Sequence, residues 1–489
     1  MQLTSEANIF SVLLSYNPWW RTDHVPKELT KRVKRLAFYE VMAAIEHPDI
    51  RRMALISGAR RIGKTTMLYQ MIERLIEQGA DSKRLLYVSL DHPLLKLCPL
   101  NRVLEIYHQN VYGEQDVFYF FDELQYANDW DFWLKTIFDT QPATRVVATG
   151  SASPRLLDRA IESGVGRWKV ISVPTLSFYE YCELLQVDER PELDVTVPPT
   201  ALSRLEATKQ TLIMAKLRPL QKHFHRYLQI GGFPELALSN DHLCAQRVLR
   251  EDVVDKVLKR DIPSLFSVRS PADLERIFLY LCYHSSSVIN VASMAKELEG
   301  VSRPTVEKYI EHLRQANLVY VSAPINLSGK KALKTQNKIY IADPAIRNAV
   351  LMQSDLLINP AEMGLMVETA VYRHLQSFYY QSATRVGYYR EAGKGDQEID
   401  VVIQLPRGKV LVEVKYRETY DLAELQPLIT HASDATATLL ITKKDEDYGP
   451  LPASSSNVYR LPAYAFLYLL GHAERCRLSH RDNSVDLLH

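Results

Sequence analysis

Two stretches of this 489-residue chain carry residue types spaced for chemistry. The first, GARRIGKT at 58–65, fits the pattern G-x-x-x-x-G-K-[ST] between an apolar run, MALIS, and an amphipathic one, TTMLYQMIERLIEQG. In that context glycines let a loop wrap its N–H groups around phosphates at a helix N-terminus. Lys64 would reach the β- and γ-phosphates of ATP, Thr65 would ligate Mg²⁺, and Thr66 completes the first helical turn. Gly58, Arg60, Arg61 and Gly63 make up the rest of the loop, the two arginines facing either phosphate or a partner. Further along, VFYFFDE ends an apolar run in Asp122 and Glu123. That pair supplies a metal-positioning carboxylate and a neighbouring base for the attacking water.

Two further positions follow from the nucleotide site. TGS (149–151) closes the next apolar run, so Ser151 could sense a γ-phosphate beside Asp122. Arg167 in GVGRW has two readings. It either stabilises transition-state charge, in its own site or a neighbour's, or is an ordinary ion-pair arginine.

The second chemical stretch is EIDVVIQLPRGKVLVEVKYRE, from Glu398. Asp400 opens one strand pattern, and Glu413 and Lys415 close the next. In a hairpin the two acids can converge to bind a divalent metal, Mg²⁺ or Mn²⁺. Lys415 falls on the same face as Glu413 because strand side chains repeat every two residues. Such a lysine could orient water for attack on a phosphodiester. Glu368, on the helical pattern GLMVETAVYRHLQ, and Gln426, on the helix beyond, would complete the pocket. The same acids and lysine could equally form an internal ion-pair cluster.

Strands predicted at 53–57, 84–91, 116–123, 144–151 and 168–174, separated by helical stretches, imply a parallel α/β sheet. The length allows roughly three domains at about 150 residues each. The boundaries follow as an arm at 1–35, a P-loop core at 36–180, a helical lid at 181–250, a winged-helix domain at 251–335 and a final α/β domain at 336–489. A net charge of +1 excludes a histone-like basic protein. Five scattered cysteines without CxxC spacing argue against zinc or a disulfide framework. No long apolar run suggests a membrane span or signal peptide, so a cytoplasmic protein is expected.

The stretch VINVASMAKELEGVSRPTVEKYIEHLRQANLVYVSAP (288–324) reads as helix, turn, helix, strand. Ala295, Leu298, Val306, Ile310 and Leu313 have the spacing of a buried face. Ser302 is the expected N-cap, with Pro304 in the first turn. Arg303, Thr305, Lys308, Tyr309 and His312 are expected outward, suited to DNA phosphates and base edges. Lys330 and Lys331 follow in SGKKALKTQNK, where a wing would sit. The alternative is a winged helix used only for protein packing.

With these residues in view, the chain resembles the prokaryotic AAA-type ATPases that carry a C-terminal winged helix and a restriction-nuclease-like module. The resemblance rests on NPWW, GARRIGKTT, YVSLDHP, FFDELQYANDW, ATGSAS and the GR before VISVPTLSFYEY. It continues through GGFPE, LKRDIPSLF, IYIADPAI and the GLMVETAVYRHL–EIDVVI–VEVKY series, in order along nearly the whole chain. It implies ATP binding at Gly63, Lys64 and Thr65, with Asp122 and Glu123 as hydrolytic acids. The expected function is an ATP-hydrolysing motor or remodelling ATPase acting on DNA, as a homo-oligomer with a ring as one option. Two alternatives stay open: an ATP-gated metal-dependent nuclease of genome defence or repair, and a nucleotide-dependent regulatory switch.

Overall fold

The structure, a computed structural model, describes residues 5–128, 130–151, 166–187, 190–193, 197–266, 268–326, 336–352, 357–390, 397–452 and 457–479. The chain divides into two compact units, Met1–Pro174 and Thr175–His489.

The first unit is an α/β layer built on a five-stranded parallel sheet. Its strands are β1 (Met53–Gly58), β2 (Leu85–Ser89), β3 (Phe118–Asp122), β4 (Arg145–Ser151) and β5 (Trp168–Ser172), in the order β2-β3-β4-β1-β5. All six residues of β1 are buried, as a central strand covered on both faces requires. Helix α1 (Glu6–Tyr16) opens the unit and α2 (Lys64–Glu77) follows β1. Because β1, β3 and β4 run parallel, their C-terminal ends bring the glycine loop, Asp122 and the TGS segment to one rim.

An edge strand exposes backbone groups that invite pairing. On β2 that edge is covered by the arm. Asn17 Nδ2 donates to Tyr87 O at 2.9 Å, and Tyr87 N–H donates to Asn17 Oδ1 at 2.7 Å. The indoles of Trp19 and Trp20 both donate to Leu85 O, at 2.9 and 3.0 Å. The NPWW segment therefore acts as a side-chain substitute for a sixth strand.

The second unit holds a nine-stranded mixed sheet. Its strands are β6 (Ser287–Val288), β7 (Val319–Pro324), β8 (Lys338–Ile341), β9 (Arg385–Arg390), β10 (Glu398–Leu405), β11 (Gly408–Lys415), β12 (Ala437–Thr442), β13 (Gly449–Pro450) and β14 (Val458–Pro462). They run in the order β13-β14-β12-β11-β10-β9-β7-β8-β6. The packed helices include α3 (Phe178–Leu184), α4 (Gln221–Ile230), α5 (Val291–Glu297), α6 (Arg303–Gln315), α7 (Pro344–Leu351), α8 (Pro360–Tyr379) and α9 (Ala463–Ser479). Helix α8 is organised around a buried guanidinium. Arg373 donates to Thr175 O at 2.8 Å, Leu176 O at 3.0 Å and the Tyr227 hydroxyl at 2.6 Å. The neighbouring His374 accepts the Phe178 N–H at 3.0 Å, and burial holds its imidazole well below the ordinary histidine range.

The segment expected to be a lid differs from expectation. Its residues Tyr181, Leu217, Phe224 and Tyr227 share one hydrophobic core with Val371 of α8 and Phe466 of α9. The residues expected as a helical lid over 181–250 instead help to fill the core of the second unit. No helix among the described residues is long and apolar enough to cross a membrane.

The Asn17 contacts give a direct test. Replacing Asn17 with alanine strands a buried N–H and C=O of β2, and should cost about 2 kcal/mol. The expected result is a lower urea midpoint with an unchanged slope.

Candidate nucleotide site and a buried carboxylate cluster

The loop between β1 and α2 is fixed from both sides. A side chain at Gly58 would place its Cβ 2.3 Å from Ile62 Cδ1 and 2.4 Å from Val173 O, so only glycine fits. Gly63 caps α2 with φ 92°, in the region that glycine tolerates best. Arg35, from the basic run before the sheet, donates to Ile62 O at 2.6 Å and Pro174 O at 2.8 Å, bracing the loop from behind. Lys64 is buried, and its ammonium donates to Gly58 O at 3.0 Å and Ala59 O at 2.8 Å. Arg60 is half-buried and Arg61 exposed, with φ 59° at Arg61.

Asp122 is the centre of the rim. Its Oδ2 accepts from Thr65 Oγ1 at 2.7 Å and from the Tyr87 hydroxyl at 3.0 Å, and its Oδ1 accepts from Thr149. Burial pushes its carboxyl above the ordinary range, while the Thr149 and Thr65 hydroxyls pull it back. Glu123 sits in the left-handed region at φ 55°. Its N–H donates to Thr149 Oγ1 at 3.1 Å, and its side chain accepts from Gln125. The structure thus joins Lys64, Thr65, Asp122 and Glu123, with Thr66 in the first turn of α2. From TGS it is Thr149 that touches the acids. The Ser151 side chain lies outside the described residues.

Sequence reasoning assigned nothing to Tyr87 or Arg35. Tyr87 shares a strand face with Leu85 and Ser89 on β2, a pattern that ordinary core packing also produces.

Arg167 is not brought to this rim. Its carbonyl accepts the N–H of Met53, at the start of β1, so it lies at the opposite end of the sheet from the glycine loop. Its guanidinium grips Asp139 at 2.9 and 3.1 Å. A role in its own nucleotide site is therefore corrected to an ion-pair arginine. The reason is that β5 begins, rather than ends, at this residue.

In the second unit the hairpin forms as its pattern requires. Strands β10 and β11 pair through Val401↔Val412, which sets Asp400 beside Glu413. The Asp400 N–H donates to Glu413 Oε2 at 3.2 Å, and the Val414 N–H to Asp400 Oδ2 at 2.9 Å. Lys415 bonds Glu413, as the shared face predicts. Gln426 does not join. It is exposed and bonds Thr430 within its own helix at 3.3 Å.

The cluster contains a member that the sequence places elsewhere: Lys338 is the last lysine of SGKKALKTQNK, the stretch expected as an exposed wing. Lys338, the first residue of β8, is buried, and its ammonium meets three carboxylates. Nζ lies 2.7 Å from Glu368 Oε1, 2.6 Å from Glu398 Oε1 and 3.1 Å from Asp400 Oδ1. Tyr340, on the same face of β8, donates its hydroxyl to Glu368 Oε1 at 3.0 Å. Burial works against the Lys338 charge, but Glu368, Tyr340, Asp400 and Glu398 outweigh it and raise its pKa well above the ordinary lysine value. Two ammonium groups thus face four carboxyls. The upward shifts fall on Glu368 and Glu413. In both, burial is the main cause and the Asp400 charge the second. Burial would also raise Asp400, but Lys338 and Lys415 hold it below the usual range.

On α6, Ser302 caps the helix as expected, and Leu298, Val306, Ile310 and Leu313 are buried while Ala295 is half-buried. Arg303 and Lys308 are exposed and Thr305 half-buried. Arg303 pairs with Glu307 at 2.9 Å, and Thr305 shares a hydroxyl bond with Ser302. Tyr309 and His312 depart from the expected outward face. Both are buried, with His312 stacked on Phe266 at 3.8 Å between centroids and the Tyr309 hydroxyl accepting the Ser270 N–H. A preceding segment packs on that side of α6, which helical spacing alone does not reveal. Lys330 and Lys331 lie outside the described residues.

Comparison with known proteins places an AAA-domain family match on residues 50–182. Residues 221–357 and 363–464 match two domains of unknown function, DUF8612 and DUF4143. The chain is 24% identical to an uncharacterized protein of Haemophilus influenzae over 412 residues, covering 82% of this chain and 91% of that one. An uncharacterized protein of Mycobacterium tuberculosis is 25% identical over 376 residues, covering 75% of this chain and 71% of that one. Among solved structures, a Walker-type ATPase of Pyrococcus abyssi aligns with TM-score 0.39 and 14% identity, over 65% of this chain and 96% of that one. The Aeropyrum pernix ORC1 protein in complex with DNA aligns with TM-score 0.28 and 14% identity, over 72% and 98%. The AAA-domain match covers the glycine loop, Asp122, Glu123 and the five-stranded parallel sheet, and supports an AAA-type ATPase domain there.

Lys338→Met would leave the buried carboxylates without their central charge. Removing one partner of a buried ion pair costs about 3–5 kcal/mol. Urea denaturation should show a loss of that size for the second unit, against under about 1 kcal/mol if the cluster were solvated.

Proposed function

We propose that the chain is a Mg²⁺-dependent ATPase that acts on DNA as a homo-oligomer, moving or remodelling duplex or branched DNA. The hydrolytic half of this reading is carried by one observation, the 2.7 Å bond from Thr65 Oγ1 to Asp122 Oδ2 beside Lys64. A hydroxyl at the head of a glycine-loop helix and a lone strand-end carboxylate are the oxygen donors that Mg²⁺ takes alongside nucleotide phosphates. When bound, Mg²⁺ would neutralise phosphate charge. In this reading Lys64 exchanges the Gly58 and Ala59 carbonyls for the β- and γ-phosphates. The loop N–H groups around Gly63 cradle the same phosphates at the N-terminus of α2, with Arg60 and Arg61 flanking them. Glu123 takes the proton of the attacking water. Thr149, bonded to the Asp122 carboxylate and the Glu123 N–H, keeps the two acids in register, and Ser151 follows it on the same strand.

The DNA half rests on α5, α6 and the β7–β8 hairpin, which follow the helix, turn, helix, hairpin order of a winged helix. Exposed Arg303 and Lys308, with Thr305 at the helix start, suit phosphates and base edges. Lys330 and Lys331 belong to the same reading by their place in sequence. Residues 336–489 are read as a restriction-nuclease-like domain, from the antiparallel β9-β10-β11 run extended by parallel β12 and covered by α8. Oligomerisation would let a neighbouring copy supply positive charge to the transferred phosphate.

Lys64→Ala should abolish ATP turnover with and without DNA, while the parent enzyme is stimulated by duplex or branched DNA. No stimulation in the parent would remove the DNA half and leave the ATPase. Turnover per chain should also rise with protein concentration if copies complete each other's sites. Lys308→Glu should weaken DNA binding and lower the salt slope of log Kd by about 1, since one fewer phosphate is neutralised. A slope and affinity equal to the parent's would instead assign α6 to protein packing.

A further inference from the structure

We propose that Lys338 is the resident cation of the carboxylate cluster: its ammonium stands where a divalent ion would otherwise bind, and removing it creates a divalent-metal site. The acids that would serve such an ion converge from α8 and the β10–β11 hairpin, yet the point between Glu368 and Asp400 is filled by Nζ. An ammonium has three N–H donors. Here the three carboxylates of Glu368, Glu398 and Asp400 each lie within 3.1 Å, so the donors are matched one to one. A divalent cation binding oxygens at about 2.0–2.6 Å could not share this space with a positive charge already in contact with the same oxygens. With the Lys338 ammonium between them, these acids are not among any group of described residues that could hold a metal ion. The residues present therefore do not fit a metal at this cluster.

The backbone makes the arrangement durable. Lys338 pairs with Ser322 of β7 and with Val288 of β6, so it is held by strands on both sides. Its side chain is only 3% exposed. Withdrawing the ammonium would require either unpairing β8 or leaving the carboxylates unmatched. The lysine thus serves the shape of the fold, tying β8 to α8 and β10, and takes the coordination positions that metal-assisted cleavage would need.

The test measures Mn²⁺ binding to nucleotide-free protein by electron paramagnetic resonance and calorimetry, together with thermal melting. In the parent, Asp400→Asn should leave Mn²⁺ binding unchanged. Lys338→Ala should gain one Mn²⁺ per chain and melt higher with the ion, and adding Asp400→Asn should abolish both effects. A parent site weakened tenfold or more by Asp400→Asn would overturn the proposal, as would a folded Lys338→Ala chain that gains no such site. If Lys338→Ala is unfolded without metal, the expectation becomes refolding on addition of Mn²⁺, followed by circular dichroism. A chain that stays unfolded counts against the proposal.

Discussion

The second unit depends on how one buried positive charge is matched. A lysine ammonium taken out of water is tolerable only where carboxylates replace the lost hydration. Lys338 finds them on two elements distant in sequence, Glu368 on α8 and Glu398 and Asp400 on β10. That requirement fixes where α8 crosses the sheet and how β8 faces β10. Tyr340 and Lys415 extend the same network, so the hairpin's acids are all committed to protein partners. An apolar core alone would leave such neighbours free to slide. Discrete charges at hydrogen-bond distance do not.

In the first unit the matching problem has the opposite sign. Asp122 is a carboxylate buried at the end of a strand, bonded by the hydroxyls of Thr65, Thr149 and Tyr87. Hydroxyls can rotate and exchange partners, whereas an ammonium held by three acids cannot do so without cost. The rim of β1, β3 and β4 is therefore suited to take up and release a charged ligand, while the cluster around Lys338 is suited to stay as it is. The two sites look alike in sequence, each a pair of acids at strand ends with a lysine nearby. They differ in what holds the acids: hydroxyls at Asp122, ammonium groups at Asp400 and Glu413.

The parts legible in sequence were those that local rules determine. Strands β1 to β5 follow from apolar runs, α2 from the glycine loop before it, and the β10–β11 hairpin from the two strand patterns that carry Asp400 and Glu413. Asp400, Glu413 and Lys415 meet because period two leaves no other choice. What escaped depends on contacts between distant segments. Lys338 belongs to a four-residue strand after a lysine-rich stretch, where another lysine looks like more surface charge. Tyr309 and His312 have outward helical spacing, but a segment near Phe266 covers them. Arg167 has two readings in sequence, and its place after the TGS segment does not say at which end of a strand it falls.

Several of the most distinctive sequence segments turn out to build scaffold. Asp343, in IYIADPAI, caps α7 through the Ala345 N–H at 2.9 Å and accepts the Gly232 N–H of GGFPE at 3.2 Å. Arg373 and His374, in VYRHL, satisfy the backbone of the VPTLSFYEY segment. NPWW satisfies the edge of β2. Each pairs a polar side chain with backbone groups that have no ladder partner, and a buried backbone group left unmatched is expensive. Residue types in such roles are as constrained as those of an active site, because few side chains have the right donors at the right reach. A distinctive string of polar and aromatic residues is therefore equally good evidence for backbone left over from sheets and helices. Chemistry is indicated only where, as at Lys64 and Asp122, the polar groups are held by partners they can give up.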